Sequence, residues 1–404
     1  MQMHFGRKII VNINETSKMV NSLLYEEEKS DKEVGANQNL MVKSLAIENF
    51  RCFQNSYFED FGRVNLIGGK NNSGKTALLE ALFLANSPSN SSISFLQQIR
   101  TEHTIIYSNQ PALAWGNLFY NNEKSRTVKF RLGLSSKTTS EVEMVCNETP
   151  KSLDDIGQIG DDELIKVVDS ETLVEVGIST IKLKSKNRDN DTTESSISYD
   201  WSKEPIHREW PPVKPLIYVH FIPAGFRRST PALANEFDRA LTQVSKAILI
   251  DVFRAIDDSI EDVMTLNVGI PQIHIKRGEE NWRPLNFLGD ALNKITDIML
   301  RIINHPNCMI LIDEIENGIH WTNHEKFWAV LYKLASKFHV QIFATSHSGE
   351  MINAFKNVAI KEKIEDAAYF EMIRSARSGE IVAEKLPLEV LDYNIKTHHP
   401  YRGE

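Results

Sequence analysis

Three cysteines in 404 residues, Cys52, Cys146 and Cys308, are too few and too scattered for a disulfide framework or a cysteine metal site. Their scarcity predicts a reducing compartment, the cytoplasm. No apolar run approaches the roughly 20 residues of a membrane-spanning helix. The opening M-Q-M-H-F-G-R-K-I-I-V-N-I-N turns polar too soon for the apolar centre of a secretory signal. No membrane partner is expected. Positive charge is also in short supply: 46 Lys and Arg against 54 Asp and Glu leave a net charge of −8. That excludes a chain that coats nucleic acid through its overall charge. Two local basic clusters remain. Lys182, Lys184, Lys186 and Arg188 read as a solvated face. Arg227-Arg228 follows an apolar stretch and a Pro-Ala-Gly turn, a placement near the core that suits phosphate or an ion pair.

What the chain does have is a loop, Gly68-Gly69-Lys70-Asn71-Asn72-Ser73-Gly74-Lys75-Thr76, that matches G-x-x-x-x-G-K-[ST]. Val64–Ile67 before it reads as a strand, and Ala77–Ala85 after it as an almost wholly apolar helix. The motif needs this strand–loop–helix context. Small residues let several backbone N–H groups converge on one point, and the helix N-terminus adds a positive dipole. Gly69, Asn71, Asn72, Ser73, Gly74, Lys75, Thr76 and Ala77 are therefore the candidate nucleotide-binding residues. Lys75 would reach the β- and γ-phosphates, and the Thr76 hydroxyl would ligate Mg²⁺.

The composition, 41% hydrophobic and 25% charged, is that of an ordinary globular chain long enough for two or three domains. Residues 1–40 read as a polar N-terminal extension with a charged run at 26–33 and a short strand at 8–13. Met41 opens an alternating strand, and residues 41–100 form one half of a core. The stretch after Ala85 is polar, with Pro88 ending the helix. Residues 101–216 are rich in short alternating strands and read as an antiparallel insertion without a catalytic constellation. Residues 217–282 hold a strand, apolar helical spacing from 232 to 264 as one long helix or two stacked ones, and a hairpin around 273–280. Residues 283–404 complete the core: a helix over 291–303, the apolar strand 308–312, an amphipathic helix at 327–335 and the strand 340–345.

The strand 308–312 ends in Asp313-Glu314. Asp313 would hold Mg²⁺ from the strand beside the one leading into Gly69. Glu314, just past the strand's end, would polarise an attacking water as general base. His347 follows strand 340–345, and its neutral imidazole would donate to a γ-phosphate. Lys75, Glu314 and His347 are the candidate catalytic residues.

This order of parts resembles the ABC-type ATPases, and within them the SMC/RecF/OLD branch that acts on DNA or in phage defence. The resemblance is carried by L-A-I-E-N-F-R-C-F (45–53), the loop at 68–76, P-L-N-F-L-G-D (284–290), I-L-I-D-E-I-E-N-G-I-H (310–320) and Q-I-F-A-T-S-H-S (341–348). It implies an α/β P-loop fold with a mixed core sheet, the β-rich insertion and a helical subdomain. It implies ATP and Mg²⁺ as cofactors, slow hydrolysis, and a homodimer that completes two sites. It further implies that Arg51 lies near the nucleotide. Gln97 or Gln98 would link nucleotide to lobe movement, with Gln97 near the metal, and Asn317 would lie in a dimer-facing loop. Asn286, Leu288, Gly289 and Asp290 stand where the family's trans-acting signature loop carries a serine and two glycines. The stretch after His347 is too short for the Toprim nuclease of OLD proteins. A separately encoded effector such as a Toprim or HNH nuclease, and a DNA or phage-derived trigger, are therefore expected in DNA repair or anti-phage defence. The alternatives are an ATP-binding scaffold without turnover and, more remotely, a transporter ATPase.

Overall fold

The computed structural model describes residues 40–100, 110–136, 139–150, 176–186, 192–200, 206–210, 213–375 and 379–397, with backbone alone at 150, 176, 206–210 and 290. The expected strand at 8–13, part of the expected insertion, Arg188 and the last seven residues lie outside the described residues. Among the described residues the strands form three sheets. The first is antiparallel, in the order β2-β1-β4-β5-β6-β7-β8. Its strands are β1 (Val42–Phe50), β2 (Phe53–Glu59), β4 (Val128–Leu134), β5 (Thr139–Pro150), β6 (Val176–Lys186), β7 (Thr192–Asp200) and β8 (Ile206–Trp210). The second is the core sheet, in the order β16-β15-β3-β14-β13-β9. It contains β3 (Val64–Gly69), β9 (Val219–Ile222), β13 (Met309–Ile312), β14 (Gln341–Thr345), β15 (Ala367–Arg374) and β16 (Ile381–Leu386), parallel apart from β16. The third, β10 (Ile260–Val268), β11 (Ile270–Arg277) and β12 (Arg283–Pro284), is small and antiparallel.

The sheet sorts the sequence by burial. Strands β3, β9, β13 and β14 are buried at every residue and mostly apolar, as a sheet covered on both faces requires; the polar exceptions are Asn65, His220, Gln341 and Thr345. The β-rich stretch expected as an insertion continues the sheet begun by β1 and β2, because β4 pairs with β1. On its open face Glu48, Lys129, Glu143, Lys184 and Glu194 stand opposite one another across five strands, in alternating sign. Lys184 and Lys186 of β6 thus stand opposite carboxylates, Lys182 stands opposite Val145 and Ser196, and all three are exposed, with cross-strand pairs that favour this register.

Helix α1 (Lys75–Asn86) lies between the two large sheets. It is apolar all round because it is covered all round. A short helix, α2 (Asn90–Ile99), was not expected in the polar stretch; Ser89 caps it by accepting from Ser92 N at 3.1 Å. The apolar spacing at 232–264 resolves into α3 (Thr230–Gln243) and α4 (Lys246–Ile256), while 260–268 is β10. The chain breaks at Asp257, after which the β-branched and alternating residues pair with β11. Helices α5 (Asp290–Asn304), α6 (His324–Lys337), α7 (Gly349–Glu362) and α8 (Leu388–Lys396) complete the described core. Gln341 ties the two large sheets together. Its Oε1 accepts from Val42 N at 2.8 Å, and its Nε2 donates to the carbonyls of Val42 and Gly62, both at 2.8 Å.

Candidate functional site

The loop between β3 and α1 closes only because two glycines take left-handed backbone. Gly69 has φ +135, and a Cβ there would meet Met372 O at 2.5 Å; Gly74 has φ +92 and a Cβ there would lie 2.9 Å from Cys52 Sγ. The loop borders an open cavity of about 530 Å³. Asn71, Asn72, Ser73, Gly74, Lys75, Thr76 and Ala77 line it, together with Arg51, Asp313 and Glu314. Lys75 Nζ donates to the carbonyls of Gly69 at 2.8 Å and Lys70 at 2.7 Å, so the ammonium is folded into its own loop. Burial pushes its pKa down, and Glu316, Asp313 and Glu314 pull it back.

Thr76 Oγ1 donates to Asp313, 3.0 Å from each carboxylate oxygen, and Thr345 Oγ1 donates to Asp313 Oδ1 at 2.6 Å. The sequence placed Asp313 on the strand beside β3. In fact β14 stands between β3 and β13, and Thr345 at its end bridges the gap. Burial raises the Asp313 pKa, against the two threonine hydrogen bonds. A hydroxyl and a carboxylate held together are hard oxygen donors of the kind Mg²⁺ takes while it keeps most of its water. Thr76 and Asp313 would hold that ion, and a magnesium there would supply charge neutralisation to bound phosphates.

Glu314 has φ 47, uncommon for a residue with a Cβ, and its backbone is held from two sides. Its N–H donates to Thr345 Oγ1 at 2.8 Å, and its carbonyl accepts from Lys294 Nζ at 2.7 Å. Its side chain accepts from Asn317 Nδ2 at 2.6 Å. Lys294 lies in α5, and burial lowers its pKa to about 8 against the pull of Glu316, Glu314 and Asp313. Sequence reasoning missed both Lys294 and Glu316. Glu316 Oε1 accepts from His347 N at 2.8 Å and faces His347 Nδ1 at 3.0 Å. Glu316 thus holds, from the Nδ1 side, the ring expected to donate to a phosphate.

The other residues expected at the site part company in the fold. Gln97 does not border the cavity; it is buried, and its Oε1 accepts from Tyr199 OH at 3.0 Å. The amphipathic turn of α2 directs it under β7, and Arg100 reaches the cavity instead. Arg51 borders the cavity, with its Nε on Glu80 Oε2 at 2.9 Å; Arg100 Nε meets the other oxygen at 2.7 Å. Glu80, fully buried in α1, thus anchors both arginines. The Arg227-Arg228 pair splits: Arg228 makes ion pairs with Glu236 at 2.8 Å and Asp297 at 2.9 Å, while Arg227 is exposed. Asn286 Nδ2 donates to Thr230 Oγ1 at 2.5 Å, and Gly289 and Asp290 open α5. Asn286, Leu288 and Gly289 do not border this cavity, as residues expected to serve a partner's site need not.

The model of the RecF/RecN/SMC N-terminal domain matches residues 41–367. The chain belongs to that family. Within it, the chain is an SMC/RecF-like ABC-type ATPase in fold. A Helicobacter pylori protein named ATP/GTP phosphatase is 23% identical over 361 residues, which are 80% of this chain and 89% of that one. The DNA replication and repair protein RecF of Clostridioides difficile is 29% identical over 100 residues, 24% of this chain and 25% of its own. Among solved structures, an SMC head bound to the C-terminal winged-helix domain of ScpA covers 87% of this chain and 99% of its own at 11% identity, with a TM-score of 0.48. The SMC head domain from Thermotoga maritima covers 86% and 99% at 11% identity, with a TM-score of 0.38. The family assignment rests on the matched sequence, not on these superpositions. No helix among the described residues is long and apolar enough to cross a membrane.

Proposed function

We propose that the chain binds ATP with Mg²⁺, hydrolyses it slowly, and uses the nucleotide as a switch for association. One observation carries the reading. Thr76 and Asp313 meet at 3.0 Å at the mouth of a glycine loop whose lysine is already turned inward. A phosphate entering the loop would take over the Lys75 ammonium from the carbonyls of Gly69 and Lys70, exchanging neutral acceptors for a charged one. Two copies would complete two sites, each lending Asn286, Leu288, Gly289 and Asp290 to the partner's nucleotide. The hold of Asn317 on the Glu314 carboxylate supports slow turnover, because the base must leave that amide to meet water. It also favours a second reading, an ATP-binding scaffold without turnover.

The biological role rests on the family resemblance: a regulatory subunit in anti-phage defence or DNA repair that governs a separately encoded effector, such as a Toprim or HNH nuclease. The test is turnover by the purified chain with Mg²⁺ and ATP, run beside plasmid and linear DNA. Slow, Lys75-dependent phosphate release with the DNA left intact is the expected result. ATP binding without release would favour the scaffold, and no binding at all would sink both readings.

A further inference from the structure

We propose that Asn121 and Asn122 form the base-reading wall of the nucleotide site and select adenine. This rests on the nucleotide-site reading above. The cavity of about 530 Å³ has the size of a site that takes a whole small ligand rather than a phosphate group alone. The glycine loop, Asp313 and Glu314 account for the part that would hold phosphates and magnesium. The rest of the lining comes from Arg51 and Cys52 after β1, from Arg100, and from the stretch before β4, with Asn117, Phe119, Asn121 and Asn122. A nucleoside joined to phosphates in the loop would lie against this remainder, which holds no carboxylate.

The stretch before β4 is tied down. Arg51 N donates to Leu118 O at 3.0 Å, Arg51 Nη1 donates to Asn117 O at 3.1 Å, and Phe50 forms an antiparallel bridge with Phe119. Trp115 and Phe119 are buried, and the Trp115 ring stacks on Tyr199 with centroids 4.9 Å apart. On this support Asn121 and Asn122 are exposed, and both take left-handed backbone, with φ 54 and φ 59. Asparagine tolerates that conformation better than most residues with a Cβ. Of the eleven non-glycine residues with positive φ among the described residues, five line this one cavity: Arg51, Asn72, Asn121, Asn122 and Glu314. Strained backbone persists where a ligand site requires it.

Among the described residues neither side-chain amide of Asn121 and Asn122 has a hydrogen-bond partner. A carboxamide carries a donor and an acceptor side by side, whereas an arginine carries donors alone. A phosphate offers only acceptors and would leave the amide oxygen unused. Adenine presents its 6-amino donor beside the N7 acceptor, the complement of one amide. Guanine presents two acceptors on that edge, which suit an arginine fork and not an amide. Both arginines of the lining are anchored on Glu80 through Nε, at 2.9 and 2.7 Å, so the amides are the groups left to turn toward a base.

The experiment titrates the full chain, with Mg²⁺, against ATP, GTP and inorganic tripolyphosphate, in wild type and in the double variant Asn121→Gly with Asn122→Gly. Glycine takes left-handed backbone without strain, so the loop is kept while both amides are lost. Wild type is expected to bind ATP about tenfold or more tightly than GTP, the discrimination of one good amide–base pair. The double variant is expected to lose about tenfold or more in ATP affinity and to hold tripolyphosphate within about twofold of wild type. Unchanged ATP affinity and an unchanged ratio of ATP to GTP in the variant would overturn the inference alone. So would a wild type that binds GTP as tightly as ATP, or a variant that loses tripolyphosphate in step with ATP, since the wall would then only support the glycine loop. A wild-type chain that binds neither ATP nor tripolyphosphate would instead overturn the nucleotide reading and the inference with it.

Discussion

Thr76 Oγ1 lies 3.0 Å from both carboxylate oxygens of Asp313, although the strands leading to them are not neighbours. Strand β14 runs between β3 and β13, and its last residue, Thr345, donates to the same carboxylate at 2.6 Å. The parallel pairing of β14 with both strands is what brings residues 237 positions apart into one site.

Lys75→Ala should abolish ATP binding while the fold is kept. The side chain's partners in this state are the carbonyls of Gly69 and Lys70, in a loop whose later residues border an open cavity. The expected loss is about a hundredfold or more in affinity, near 3 kcal/mol for a charge-assisted contact to phosphate. Titration with ATP, beside thermal melts of both proteins, checks it. Wild-type affinity in the variant would remove the loop from the site.

Glu314→Gln should bind ATP and stall. The carboxamide can keep the contact with Asn317, but it cannot take a proton from water. With hydrolysis blocked, ATP should hold a longer-lived dimer, seen as a shift in sedimentation velocity. Equal sedimentation with and without ATP would refute a site completed by a second copy.

Gln341→Leu should be among the most destabilising single changes in the core. Gln341 is fully buried, and its loss strands the Val42 N–H and the carbonyls of Val42 and Gly62. Unsatisfied buried groups at this seam should cost about 3 kcal/mol. Denaturant unfolding measures it, and a loss within the ordinary surface range of about 0.5 kcal/mol would show that the two large sheets are held by packing alone.

Lys294 makes stability depend on alkaline pH. Its pKa falls from the ordinary 10.5 to about 8 in the fold, so the unfolded chain binds more protons between those values. Stability contributed by this residue therefore rises as pH rises from about 8 to 10.5, where the buried ammonium becomes a neutral amine in both states. The melting temperature of wild type minus that of Lys294→Met should increase across this window. A difference that stays level or falls would show that Lys294 is not buried as a charge.

The sequence by itself determined the phosphate loop, the acidic end of β13 and the histidine after β14. Each is a local pattern, a few residues whose chemistry is set by their own types and by the strand or helix beside them. The all-apolar helix after Thr76 was legible for the same reason, since only a helix covered on every side tolerates A-L-L-E-A-L-F-L-A. Tertiary structure alone decided which residues meet. Glu316 faces His347 across 31 positions, and Lys294 reaches the Glu314 carbonyl across 20. Gln97 turns from the site toward Tyr199, and Arg228 turns inward to Glu236 and Asp297. Periodicity tells which face of an element is buried, but not against which neighbour. That depends on strand order and on the rotation of helices over the sheet, which are settled by packing the whole core at once.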